Sequence, residues 1–219
     1  MGDFFSLEGP FMRFFDKVFN LLWLNILVII CCLPVFTAGA AFTAMHYVLL
    51  RMLHNEEGYI SSNFFKSFKE NFKQATIIWL PFMLIFAALG LDTFLLYKGI
   101  VTMPGIYKIG VYVLLTSVSL GLMFVFPVLS HYHNTVKGTI KNGFAMAAYS
   151  PLKTILMFVI CAAPWVGSVM VDHIWPLCLL YGFSLPGFLC ATLYDGIFKK
   201  FEKEEQKAKE RAEQPAENE

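Results

Sequence analysis

Residues 75–97 read ATIIWLPFMLIFAALGLDTFLLY, 23 positions with a single formal charge at Asp92. At about 1.5 Å per residue a helix of that length reaches about 35 Å, enough to cross bilayer hydrocarbon about 30 Å thick. A surface helix of a soluble domain would show a polar face, and this stretch has none, so its solvent is lipid. The reading extends outward to comparable runs at 18–33, 37–53, 110–130, 154–171 and 174–194, the last two divided by Asp172 and His173. Composition agrees. Of 219 residues 57% are apolar and 15% charged, where soluble chains carry about 25% charged, and the mean hydropathy is +0.60. A net charge of +1, with basic residues confined to short clusters, excludes a nucleic-acid interface.

The first two runs set the span count. Pro34 disfavours helix at Leu33, and Thr37 suits the N-cap of a following helix, so a tight uncharged turn joins two short spans. The alternative is one bent span. With six spans, both termini are cytoplasmic and only Lys98 and Lys108 face outward, leaving 15 of the 17 basic residues inside (17 minus 2). Five spans move Arg13 and Lys17 outward and worsen the division to 13 against 4. The expectation is an all-α, multi-pass membrane protein with six transmembrane helices and five as the alternative. Residues 1–198 form one transmembrane domain, and 199–219 form a charged tail with no apolar stripe to bury. The order of charges before the first run does not match a leader peptide, so that run is expected to stay in the mature protein.

Polar residues inside apolar runs carry the next inference. Asn25 lies near the middle of its span, where its amide is expected to bond a neighbouring helix. His46 is a third polar group in hydrocarbon. Asp92 falls about 25 Å along a helix that starts inside, near the outer surface, where snorkelling or an outer salt bridge is the expectation over a coupling-ion site. Pro81, Pro127, Pro164 and Pro186 interrupt apolar runs and predict kinks. The stretch TAGAAFTA repeats small residues at helical spacing, Thr37 with Ala41 and Ala40 with Ala44, with Gly39 between. Such spacing admits another helix closely and makes this run an internal packed element. Cys31, Cys32, Cys161, Cys178 and Cys190 all sit in apolar runs without ligand spacing and read as small buried hydrophobes.

Two segments between spans are amphipathic. In NFFKSFKENFKQA, residues 63–75, Phe64, Phe65, Phe68 and Phe72 form a stripe about 100° wide, flanked by Lys66, Lys69 and Lys73. The expectation is a helix along the cytoplasmic surface whose phenylalanines are covered by lipid headgroups or a docked partner. A weaker counterpart places Val136, Ile140, Phe144 and Ala147 on one face, and Ser150 with Pro151 starts the next span. Residues 37–97 and 110–171 thus share a span, helix, span order, although few identities align between them.

The segments from Pro34 to Ala41 (P-x-x-T-x-G-A-A) and from Phe64 to Ala75 (F-x-x-x-F-K-x-N-F-K-Q-A), with Phe126 and Pro127, make the chain resemble the YesL-like family of small bacterial membrane proteins of unknown function. The resemblance runs nearly to the tail. It implies a bacterial cell membrane and association with carbohydrate uptake, particularly with subunits of ABC-type sugar importers. No reaction or binding residue is carried over from it. His131 and His133 stand where the family more often shows other residues and are not read as a metal pair. No phosphate-binding GxxxxGK[ST] loop and no spaced nucleophile, base and acid occur in the sequence, so neither an ATPase nor a hydrolase is expected, and no cofactor. Three functions remain: an accessory or docking component of carbohydrate import, a small secondary transporter or channel, and an adaptor without a transport role. Oligomeric state is left open.

Overall fold

A computed structural model describes residues 10–56, 58–99, 104–132, 134–171, 173 and 175–213. The first nine residues, Glu57, residues 100–103, His133, Asp172, Ile174 and the last six residues lie outside the described ones, and with them the readings of the leader, the histidine pair and the end of the tail. Helices follow the apolar runs: α1 (Pro10–Cys32), α2 (Ala38–Leu53), α3 (Ile60–Tyr97), α4 (Gly105–His131), α5 (Val136–Tyr149), α6 (Pro151–Met170), α7 (Trp175–Tyr181) and α8 (Ser184–Glu213), with a short 3-10 turn at Val35–Thr37 between α1 and α2. No strand occurs among the described residues. Among the described residues five helices are long and apolar enough to cross a membrane, and there are six when α7 and α8, bent by 52° at their break, are taken as one span.

Side-chain bridges fix which ends lie together. Lys17 Nζ donates to Asn55 Oδ1 at 3.0 Å, so the start of α1 and the loop after α2 share one end of the bundle. His54 meets Asp195 at 3.2 Å, His131 meets Glu202 at 3.1 Å, and the Tyr149 hydroxyl donates to Glu204 at 3.1 Å. The ends of α2, α4 and α5 therefore gather with the far part of α8 at that same end. Helices α1 and α2 form an antiparallel pair, not one bent rod, and the described ends of the chain lie on one side.

Two differences from the sequence reading have local causes. The amphipathic segment 63–75 is not a separate surface helix. It is the first part of α3, which runs 38 residues without interruption. Between Phe72 and Leu80 the chain offers no proline or glycine to stop a helix, so the amphipathic turns propagate into the span. Conversely, the last apolar run, expected as one span kinked at Pro186, breaks four residues earlier, between Tyr181 and Ser184. Gly182 closes α7 by donating its N–H to Cys178 O at 2.8 Å, and a Cβ there would lie 2.2 Å from that carbonyl oxygen, which leaves room for no other residue. The charged tail continues α8 to Glu213, and Phe201 packs edge-on against Tyr149, so its first turns have an apolar contact after all.

Candidate functional site

The break between α7 and α8 is held by one side chain from the other end of the sequence. Asn25, with no accessible surface, accepts at Oδ1 from the N–H groups of Phe183 (3.0 Å) and Ser184 (3.1 Å) and donates from Nδ2 to Leu179 O (2.8 Å). A helix start leaves its first N–H groups without partners, and inside a bilayer no water can supply them. Asn25 therefore caps α8 and ties back the end of α7. The interhelical bond expected of this residue is present, and its targets are backbone groups exposed by the break just before Pro186.

The small residues of α2 make the tightest seam. Ala40, Ala41 and Ala44 have no accessible surface, and Thr37 retains 7%. A Cβ on Gly39 would fall 2.6 Å from Trp79 Cβ and 2.9 Å from Ala75 O, so α3 crosses α2 at backbone distance here. Two thirds of the apolar window of α2 is buried inside the bundle, against 6% of that of α3, which makes α2 the central element and α3 a lipid-facing one. Thr37 does occupy the N-cap position of α2, yet its hydroxyl donates backward to Pro34 O (2.6 Å) and reaches Cys31 O, tying the turn to the end of α1. Trp79 Nε1 donates to Val35 O at 2.7 Å and closes the same turn from α3.

Above this seam lies a cavity of about 320 Å³ between α2, α3, α4, α6 and the start of α8. Its walls carry the rings of Phe42, Trp79, Phe86, Phe126, Trp165 and Phe183, and among the described residues no Asp, Glu, Lys or Arg lines it. The polar positions are His46, Ser119 and the thiols Cys161 and Cys190, whose sulfurs stand 3.7 Å apart across α6 and α8. His46 Nδ1 pairs with the Tyr194 hydroxyl at 3.1 Å. The sequence marks His46 as a polar group without a role and the cysteines as separate small hydrophobes. Nothing in the spacing of residues 46, 161 and 190 joins them, because three different helices bring them to one wall.

The phenylalanine stripe divides into a covered and an open part. Phe64 has no accessible surface, and Phe64, Phe68 and Phe72 form a chain of ring contacts at 6.1 and 5.5 Å packed into the bundle's own core. The chain itself supplies the cover expected from lipid or a partner, fully for Phe64 and in part for Phe68 and Phe72. Phe65 is 41% exposed, and Lys66, Lys69 and Lys73 are exposed. At 100° per residue these four fall within about 100° of arc, which adjoins the buried face at Phe65, about 20° from Phe72, and turns away from it through the lysines. Phe65, Lys66 and Lys69 border a shallow cleft with Ser61 and Ser62. Helix α5 is likewise covered by its own bundle: the Thr135 hydroxyl caps it by accepting from Gly138 N at 3.2 Å, and Phe144 lies over Gly121 and stacks on Phe82. Asp92 stands apart from all of this. Its Oδ2 accepts from the Tyr107 hydroxyl at 3.1 Å across the far end of the α3 and α4 pair, where both border an open cleft, and no second carboxylate lines that cleft.

Helical passes with apolar outer faces, a small-residue seam at the centre and backbone breaks satisfied internally define a multi-pass α-helical membrane protein. Within that class, residues 18–93, about a third of the chain, match the family described as "Protein of unknown function, DUF624". The match covers most of α1, all of α2 and α3 up to Thr93, and so includes Asn25, the Gly39 seam and the phenylalanine and lysine face. No curated protein and no solved structure matches the chain.

Proposed function

We propose that this chain is a non-enzymatic accessory component of a bacterial cell membrane, with both termini cytoplasmic, that docks on a subunit of an ABC-type carbohydrate importer. The resemblance to YesL-like proteins supplies the partner class. The observation that carries the docking reading is the open face of α3: Phe65, Lys66, Lys69 and Lys73 stay exposed after the rest of the stripe is covered, and the lysines have no ion pair among the described residues. An apolar ring among unpaired cations suits an acidic protein surface or anionic headgroups. The cavity argues against a sugar carrier in its own right, because a carbohydrate needs many hydrogen-bonding groups and the walls here are aromatic and aliphatic.

The test is copurification in mild detergent from the native membrane. An ABC permease subunit is expected with the natural chain and is lost with Phe65→Ala combined with Lys69→Gln, while insertion and thermal stability stay unchanged. Phe64→Ala serves as the contrast, since truncating a fully buried ring lowers stability by about 3 to 5 kcal/mol. A permease retained by the double variant overturns the docking reading, and a lone chain that carries sugar into liposomes supports the transporter alternative.

A further inference from the structure

We infer that the cavity between α2, α3, α4, α6 and α8 is a binding site for an uncharged, ring-bearing lipophile with one hydrogen-bonding oxygen. This goes beyond the accessory reading and does not depend on it, since the cavity and the open face of α3 share no residue. Size comes first. An engineered cavity of about 150 Å³ takes benzene, so about 320 Å³ holds a molecule of about a dozen heavy atoms.

Shape and charge narrow the class. Phe42 contacts Phe126 at 6.1 Å and Phe183 at 5.7 Å, and Trp165 contacts Phe183 at 5.1 Å, so the walls are rings braced against one another. Braced aromatic faces favour a flat guest, which stacks or meets them edge-on. With no charged side chain in the wall, an ionised guest would lose its hydration without gaining a partner.

One polar group selects the oxygen. His46 has spent Nδ1 on Tyr194, and its Nε2 has no partner among the described residues. Whichever tautomer the Tyr194 contact sets, Nε2 is left to donate or accept; a hydroxyl on the guest satisfies it either way, and a carbonyl does so where Nε2 carries the proton. Ser119 is different, because its hydroxyl already donates to Leu115 O at 2.8 Å within α4. Access is from the side of Trp165, which is 38% exposed, and Ser119, which is partly accessible.

The experiment uses the full chain in phosphatidylcholine nanodiscs, with 2-naphthol as probe and energy transfer from the tryptophans as readout. The expected result is a saturable signal for 2-naphthol, binding about fivefold weaker for naphthalene, which lacks the oxygen, and none for 2-naphthoate. His46→Phe should bind naphthol and naphthalene equally, and Ser119→Phe, which fills the mouth, should abolish saturation. Cys161→Phe fills the cavity from another wall should Ser119→Phe fail to fold. A linear partition signal that is the same in both filled variants and the natural chain overturns the site. Equal binding of naphthol and naphthalene to the natural chain overturns the role of His46, and displacement of naphthol by dodecane at equal concentration overturns the ring-bearing class in favour of an acyl chain.

Discussion

Asn25 in α1 and Ser184 at the start of α8 are 159 residues apart and joined by a 3.1 Å hydrogen bond from backbone N–H to side-chain oxygen. With the bonds to Phe183 and Leu179, it makes one amide serve both sides of a helix break. Asn25→Leu leaves two buried donors and a carbonyl without those partners, at about 2 to 4 kcal/mol in sum. For a chain of this size that is a fall in melting temperature of about 5 to 15 °C, read by circular dichroism in detergent. Asn20→Leu, five residues earlier in α1 and outside the cap, should shift it little. Equal effects from the two variants would remove Asn25 from its capping role.

The apolar runs, their order and the central place of α2 were legible in the sequence, because hydrocarbon demands length and close helix approach demands small side chains. The break at Gly182 was legible only as the kink expected at Pro186, four residues later, because the group that caps it lies in another helix. The Phe64 stripe shows the limit of periodicity in a second way: the 3.6-residue period marks a face that must be covered, and it is silent on whether lipid, partner or the chain's own α2 and α5 provides the cover. The wall shared by His46, Cys161 and Cys190 has no signature at all in one dimension.

The Gly39 seam predicts a sharp contrast between two glycines in helices. Gly39→Ala sets a methyl 2.6 Å from Trp79 Cβ, and α2 and α3 must part to admit it, at about 1 to 3 kcal/mol. Gly90→Ala meets nothing within 4 Å and gains helix propensity, so it should be neutral or mildly stabilising. Thermal unfolding of both variants in the same detergent checks this, and a tolerated Gly39→Ala would contradict the close crossing.

Topology follows from the Lys17 to Asn55 bridge. Reporter fusions after Lys17, after Asn55 and after Lys203 should all report one side of the membrane, and a fusion after Lys98 the other. Under the proposed function that shared side is the cytoplasmic one, as the basic distribution expects. A fusion after Lys17 reporting opposite to one after Asn55 is the outcome that restores five spans.

The sulfurs of Cys161 and Cys190, 3.7 Å apart, are close enough that a rotation of either side chain brings them toward bonding distance of about 2.05 Å. Diamide, an uncharged azodicarboxamide that enters apolar sites, should take up the two thiol hydrogens as it becomes a hydrazine, leaving a disulfide between α6 and α8. Of the five cysteines, three should then react with maleimide after denaturation, and the intact mass should fall by about 2 Da, for the two hydrogens lost. Cys161→Ser should leave four reactive thiols before and after treatment. Cys31 and Cys32 are neighbours in one helix and Cys178 bonds Pro164 O through its own thiol, so neither offers a competing pair at this distance. Five reactive thiols after diamide would show that α6 and α8 do not meet at this wall, and the cavity they enclose would have to be redrawn.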